Sequence, residues 1–184
     1  PPPPPPPLFS RICRNTRLCK LSRGLGDVYK RQVYTEADTS LDYNSLWSHR
    51  ADCAFPCAFE NEIGEKDAYN LINNGIKMIC EGADMPSSPE AVKIFLDKKL
   101  LFAPAKAANA GGVAVSGLEM AQNRMLLNWS AEEVDQRLRS IMKNIHQTCL
   151  DVAAEYGEPG NYLAGANIAG FVRVVNAMLD QGLV

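Results

Sequence analysis

The chain has 184 residues, of which 46% are hydrophobic, and a formal net charge of −2. This length is enough for one domain with a buried core, and the weak negative charge gives no general attraction to nucleic acid or to an anionic membrane. No apolar run approaches the roughly 20 residues needed to span a bilayer, so neither a nucleic acid nor a membrane is expected as a partner.

The six cysteines are scattered along the chain without a regular framework. This usage indicates a reduced, cytoplasmic setting. Cys53 and Cys57 are close enough in sequence to suggest a metal pair, but neither a second pair nor a histidine follows at ligand spacing. We therefore predict buried thiols and no metal site.

Residues 1–32 differ in composition from the rest of the chain. Seven prolines open the sequence, which favours an extended polyproline conformation without a core. Basic residues follow among few apolar ones, and the proline head argues against an amphipathic targeting peptide. We predict that residues 1–32 form a disordered or non-native leader and that residues 33–184 form the folded part.

From residue 52 onward, short apolar runs alternate with helical patterns. The runs predict strands over residues 53–55, 76–80 and 100–102. Helices are predicted between them, the first over residues 66–74 and the second capped by Ser87 or Ser88 with Pro89 in its first turn. This alternation is typical of a parallel sheet, but three strands are too few for a whole doubly wound domain.

After Gly112 the pattern is helical to the end of the chain. We predict a helix over residues 113–128, a second that begins at the capping box of Ser130 and Glu133, and a third capped by Asn167. Apolar stripes on the second and third helices indicate core or interface packing. The predicted fold class is α/β: the C-terminal half of a Rossmann-like parallel-sheet domain, followed by long C-terminal helices.

Each predicted strand leads into a loop with a polar side chain among small residues. These side chains are Asn61, Asp84 and Asn109, and in the third loop Gly111 and Gly112 predict a tight turn that a ligand can approach closely. The carboxyl ends of parallel strands face one crevice, where ligands bind. Amide side chains there can donate to and accept from a carboxamide or ribose. Capping explains each residue singly, whereas three in consecutive loops favour a binding site.

Three segments resemble the C-terminal part of glutamate dehydrogenases, especially the small hexameric NADP-linked type. They are Ala-Phe-Pro-Cys-Ala at 54–58, the glycine-containing run at 106–123 and Gly-Ala-Asn-Ile-Ala-Gly-Phe at 165–171, in the family's order. The resemblance extends from about Trp47 to Val184. It implies a C-terminal fragment, containing part of an NAD(P)-binding domain, of an NADP-dependent glutamate dehydrogenase.

The resemblance also implies a reaction and an assembly. The reaction is the reversible oxidative deamination of L-glutamate to 2-oxoglutarate and ammonium, with NADP as the cofactor and NAD as a possible substitute. The full-length family forms homo-hexamers. Its catalytic lysine and aspartate lie in an N-terminal substrate domain, so no catalytic residue is expected in this chain.

Individual residues acquire roles through the same resemblance. The expected cofactor-binding residues are Ala58, Asn61, Asp84 and Asn109. The expected substrate-binding residues are Val113 and Ser116, which line the family's pocket for the amino-acid side chain. The chain departs from the family pattern where Phe59, Glu60 and Asp84 replace Thr, Gln and Asn.

Two alternatives stay open at this point. One is a fragment of a related dehydrogenase that acts on Leu, Val or Phe, and the other is a non-catalytic helical interaction module. Ser116 separates the first alternative from a glutamate dehydrogenase. Its hydroxyl suits a substrate carboxylate, whereas an apolar substrate would leave the hydroxyl unpaired, at a cost of roughly 1–3 kcal/mol.

Overall fold

The computed structural model describes Thr35 and residues 40–182 of the chain. The predicted leader, residues 1–32, lies outside the described residues. In the described part, a short 3-10 helix comes first, a parallel sheet with two helical crossovers follows, and four consecutive helices come last.

The sheet contains three parallel strands in the order β1-β2-β3, formed by Cys53–Ala54, Met78–Cys80 and Leu101–Ala103. Ala54 pairs with Ile79, and Ile79 pairs with Phe102 on the next strand. Helix α1 (Glu65–Asn73) connects the first two strands, and helix α2 (Pro89–Asp97) connects the last two. The predicted strands and crossover helices are confirmed, with bounds shifted by no more than two residues.

The core lies between this sheet and its crossover helices. Ile79 at the centre of the sheet and Ala68 and Phe95 on the helices are completely buried. The rings of Phe95 and Phe102 meet at a centroid distance of 5.6 Å, which fixes α2 against β3. Each fully buried large apolar side chain contributes about 1.5–3 kcal/mol, so this small cluster is the main source of stability for the sheet.

A buried carboxylate fastens the segment before the sheet to α1. One oxygen of Asp67 accepts a hydrogen bond from the Gly64 backbone N–H at 3.0 Å, and the other accepts from the Asn44 N–H at 2.8 Å. Burial raises the pKa of Asp67, while these two backbone hydrogen bonds act in the opposite direction. Asn44 in turn caps a 3-10 helix, Ser45–Ser48, so this helix and α1 are held together.

The glycine-containing run after β3 is helical, and its prediction as a loop with a tight glycine turn is wrong. Helix α3 (Ala105–Ala108) ends at Asn109, and helix α4 (Ala110–Met125) starts at the next residue. Gly111 and Gly112 lie in the first turn of α4 and have no positive φ. The neighbouring alanines are the best helix formers, and they outweigh the glycines.

The long helix α5 (Ala131–Glu155) starts at the predicted capping box, which is confirmed. Ser130 accepts from the Glu133 N–H at 3.2 Å, and Glu133 accepts from the Ser130 N–H at 2.8 Å. The predicted apolar stripe of α5 is partly buried, and its member Cys149 is 3% exposed against helix α6 (Tyr162–Gln181).

The cap of helix α6 lies six residues before the predicted cap. The side chain of Asn161, not that of Asn167, accepts from the Ala164 N–H at 3.0 Å. Gly165 lies inside the helix and is buried against α5, where an added Cβ would lie 1.9 Å from the Cys149 carbonyl oxygen. Asn167 has a different contact, since its side-chain oxygen accepts from Lys106 Nζ on α3.

Helix α6 also carries exposed apolar side chains. Phe171 is 69% exposed and Leu179 is 74% exposed, so these members of the predicted stripe do not pack within the described chain. By length and composition, α6 is the one helix among the described residues that could cross a membrane, with 6% of that stretch buried. No such segment was predicted from sequence, because Asn167 and Arg173 interrupt the apolar run.

Candidate functional site

An open cavity of about 800 Å³ lies at the carboxyl ends of the three strands. It is bounded by the loops that follow β1 and β2 and by the start of α4. Its lining is formed by Cys57, Ala58, Phe59, Glu60, Gly82, Ala83, Asp84, Met85, Asn109, Gly112 and Val113. Polar loop residues were predicted to meet at the carboxyl ends of a parallel sheet. The cavity lies at these carboxyl ends.

The loops after β1 and β2 are joined through backbone contacts at the base of the cavity. The Pro56 carbonyl accepts from the Gly82 N–H at 2.9 Å and from the Ala83 N–H at 3.1 Å. A Cβ on Gly82 would lie 2.4 Å from the Cys57 sulfur. A side chain at position 82 would therefore displace the Cys57 thiol, which the glycine allows to lie between the two loops.

Two buried glutamates hold the cavity walls by accepting backbone hydrogen bonds. Glu62 accepts from the Ala58 N–H at 3.0 Å, and Glu81 accepts from the Ala105 N–H at 2.7 Å. Each glutamate is 4% exposed. Glu62 thus shapes the first loop from within, and Glu81 connects the end of β2 to the start of α3.

Asn109 and Asp84 form the polar edge of the cavity. The amide nitrogen of Asn109 donates to Asp84 Oδ1 and lies 3.4 Å from the Ala83 carbonyl oxygen. Asn109 is half-buried and Asp84 is exposed. The two residues come from loops 25 positions apart, so this pair connects the second loop to the junction of α3 and α4.

Asn61 lies at the rim, outside the cavity lining. It adopts a φ of +55°, and Met85 opposite it adopts a φ of +48°. The Asn61 N–H donates to the Met85 carbonyl at 2.9 Å, and the Ile63 N–H donates to the Pro86 carbonyl at 2.8 Å. Left-handed backbone at two non-glycine residues is strained, and this local pairing holds both in place.

Val113 and Ser116 start α4 on the open side of the site. Val113 lines the cavity and is 74% exposed. The hydroxyl of Ser116, one turn later and outside the lining, donates to the Gly112 carbonyl at 3.3 Å. The structure therefore brings Ala58, Asp84, Asn109 and Val113 together at the cavity, and it leaves Asn61 and Ser116 beside it.

Several lining residues were absent from the predicted set. Cys57, Glu60 and Met85 belong to the same two loops, so the signal was the loop position after each strand rather than a distinctive residue type. The roles of Glu62 and Glu81 had no signal in sequence, because a buried carboxylate and an exposed one look alike there. The prediction of buried thiols is wrong for Cys57, which is exposed because it follows Pro56 out of the strand.

The cysteines do not assemble into a metal centre in the part of the chain that the structure describes. No group of three or more His, Cys, Asp or Glu side chains there is placed to hold an ion. Cys53, Cys57, Cys80 and Cys149 form no disulfide bonds with one another. Burial, followed by the nearby Cys57, raises the pKa of Cys80, which keeps this thiol protonated and unreactive at neutral pH.

Known proteins similar to this chain are glutamate dehydrogenases. NADP-specific glutamate dehydrogenase of Giardia intestinalis is 54% identical over 158 residues, which cover 86% of this chain and 34% of that protein. The Escherichia coli enzyme of the same name is 55% identical over 144 residues, covering 78% of this chain and 32% of the relative. The chain thus spans about a third of the length of these curated relatives.

A solved structure and a family model give the same assignment as these relatives. The solved structure of Plasmodium falciparum glutamate dehydrogenase 2 matches with a TM-score of 0.73 at 45% identity, over 83% of this chain and 32% of that one. A sequence model of the Glutamate/Leucine/Phenylalanine/Valine dehydrogenase family matches residues 16–182, a range that starts within the predicted leader. Because the match covers most of the chain, the chain belongs to the Glutamate/Leucine/Phenylalanine/Valine dehydrogenase family.

Proposed function

We propose that this chain forms the nicotinamide side of the cofactor cleft in an NADP-dependent glutamate dehydrogenase. The reaction is the reversible oxidative deamination of L-glutamate to 2-oxoglutarate and ammonium, and NAD is the alternative cofactor. The observation that carries the proposal is the meeting of Ala58, Asp84, Asn109 and Val113 at one cavity. Relatives named for glutamate support this substrate over Leu, Val or Phe.

The cavity suits a nicotinamide in size and in hydrogen-bonding groups. Ala58, Gly82 and Gly112 have small side chains or none, which leaves room for a flat ring. Asp84 and the amide oxygen of Asn109 can accept from a carboxamide NH₂. When bound, the cofactor accepts a hydride from the substrate.

The chain's own residues would position the two reactants. Asn109 is fixed by Asp84 and by the backbone of Ala83, so its remaining amide oxygen is preorganised. Val113 presents an apolar surface to the substrate chain, and Ser116 lies one turn further along α4. A homo-hexamer in the cytoplasm is the assembly and location that fit this function.

A chimera tests the proposal. Residues 40–182 would replace the matching part of the Escherichia coli relative, and NADPH formation from glutamate would be measured. We expect activity with glutamate and at least a tenfold loss in kcat for Asn109→Ala. Asn123→Ala, at the far end of α4, is the matched control and should retain activity. A folded chimera that is inactive, or equally active with Asn109→Ala, would contradict the proposal.

A further inference from the structure

We infer that Asp84 makes the cavity select the oxidised, positively charged form of the nicotinamide over the reduced, neutral form. The inference rests on the proposed function and adds to it a residue that sets the preference between cofactor forms. It concerns a position where an aspartate replaces the asparagine that the resemblance leads one to expect.

The first support is the charge of the cavity. Glu60 and Asp84 both line it, and among the described lining residues none is a lysine, arginine or histidine. Lys106, one turn before Asn109, directs its ammonium group to the Asn167 side chain on α6. The carboxylates therefore set the sign of the local potential, which favours a cation.

The second support is the hydrogen-bonding capacity that remains at the polar edge. The amide nitrogen of Asn109 has two hydrogens, and its two neighbours are Asp84 Oδ1 and the Ala83 carbonyl oxygen. Asp84 has only acceptor atoms. The side chains of this pair consequently offer acceptors to the cavity and no free donor, which favours a bound group that donates hydrogen bonds or carries positive charge.

The nicotinamide ring changes its charge during the reaction. The oxidised ring is a pyridinium with a charge of +1, and it becomes neutral when its C4 carbon gains a hydride from the substrate. A carboxylate beside the ring attracts the first state and has no net charge to attract in the second. An asparagine at position 84 would remove the contribution of Asp84 to this difference while it keeps nearly the same shape.

The solvent exposure of Asp84 limits how strongly it can favour the oxidised form. Asp84 is exposed to solvent, so water and salt weaken its field. We expect Asp84 to favour the oxidised over the reduced form by roughly three- to tenfold in Kd at low salt. The preference should shrink as ionic strength rises, because a charge effect is screened and a shape effect is not.

The test uses the 184-residue chain with oxidised and reduced nicotinamide mononucleotide as probes. Dissociation constants for both forms would be measured by NMR titration for the wild type, Asp84→Asn and the matched control Asp97→Asn. Asp97 ends α2 and lies outside the cavity lining. We expect Asp84→Asn to lower the ratio of reduced to oxidised Kd by three- to tenfold, and Asp97→Asn to leave it unchanged.

The possible failures are distinguishable. If the wild type binds both probes and Asp84→Asn leaves the ratio unchanged, this inference is overturned while the proposed function stands. If Asp84→Asn and Asp97→Asn lower the ratio equally, the effect comes from the net charge of the chain and not from the position of Asp84, and this inference is overturned. If the wild type binds neither probe, the cavity is not a nicotinamide site, and the proposed function is overturned as well.

Discussion

Glu62 and Glu81 illustrate how single side chains shape this site without facing it. Each places one carboxylate oxygen on a backbone N–H, of Ala58 and Ala105 respectively, in an almost fully buried position. A hydrogen bond to a charged group contributes about 1.5–3 kcal/mol, and a buried polar group left without it costs a similar amount. The loop and the helix start that border the cavity are therefore held rigidly from below.

At the same scale, Ser116 should set the preference for an acidic substrate in the complete enzyme. Its hydroxyl can donate one charge-assisted hydrogen bond to the distal carboxylate, once it leaves the Gly112 carbonyl that it contacts now. We expect Ser116→Val to lower kcat/KM for glutamate by about tenfold or more and to spare norvaline.

The paired substrates are the control for Ser116. Norvaline lacks the distal carboxylate but keeps the length of the chain, so it reports any general damage to the site. Equal losses on glutamate and norvaline would show that the serine acts only through its bond to the preceding turn of α4.

Between elements, Gly165 determines how closely α6 approaches α5. A Cβ at this position would meet the Cys149 carbonyl oxygen at 1.9 Å, and that oxygen belongs to rigid helix backbone. We expect Gly165→Ala to lower the free energy of unfolding by about 2 kcal/mol or more, because the helices must separate. Thermal and urea unfolding of the chain would measure the change.

Gly170 provides the matched control in the same helix. Nothing lies within 4 Å of a Cβ added there. Gly170→Ala should therefore raise the free energy of unfolding, by up to about 1 kcal/mol, through helix propensity alone. Similar effects of the two substitutions would mean that the close contact at Gly165 is not formed in solution.

The same helix pair predicts a dependence of stability on alkaline pH. Burial, with further contributions from Cys149, raises the pKa of Tyr162 to about 12. A tyrosine in the unfolded chain has a pKa of about 10. Between these values the unfolded state binds fewer protons than the folded state, so stability should fall as pH rises from about 10 to about 12.

The Tyr162→Phe variant separates the contribution of Tyr162 to this pH dependence from the contributions of other groups that titrate at alkaline pH. Urea unfolding midpoints of the variant should fall less steeply across that pH range than those of the wild type. Tyr69→Phe removes an exposed tyrosine from α1 and should behave as the wild type does. If the unfolding midpoint of Tyr162→Phe falls as steeply with pH as that of the wild type, the pKa of Tyr162 in the folded chain is near its ordinary value.

The elements also show what sequence patterns can and cannot specify. Strands and crossover helices were predictable, because burial of the short apolar runs at 53–55, 76–80 and 100–102 is decided by residue type. The start of α6 was not, since Asn161 and Asn167 are equally good cap residues by type, and the packing of Gly165 against α5 decides between them. The four alanines around Asn109 similarly outweighed the loop signal of Gly111 and Gly112.

The candidate site was predictable in outline and less so in its contacts. Topology alone brings the ends of parallel strands together, which is why Asp84 and Asn109 could be expected near each other. Their direct hydrogen bond, and the placement of Asn61 at the rim, depend on backbone details such as the left-handed conformations of Asn61 and Met85. Such details follow from tertiary contacts and have no local sequence pattern.

At the scale of the whole molecule, the described residues would form one wall of the cofactor cleft under the proposed function. The cavity is open, Val113 at its edge is 74% exposed, and apolar side chains of α6 are also exposed. The relatives are about three times as long as the part that this chain matches. Efficient hydride transfer needs the reacting carbon held against the ring and water kept out, and an open wall provides neither.

We therefore expect the 184-residue polypeptide to bind nicotinamide mononucleotide but not to oxidise glutamate. NADPH formation by the purified chain, followed by absorbance, should equal that of a blank without protein. Far-ultraviolet circular dichroism would establish that the helices are formed. Addition of the complementary part of the Escherichia coli relative should restore turnover, and Asn109→Ala should lower the restored activity at least tenfold. Turnover by the chain alone that disappears in Asn109→Ala would contradict this expectation, because it would show that one wall of the cleft suffices for catalysis.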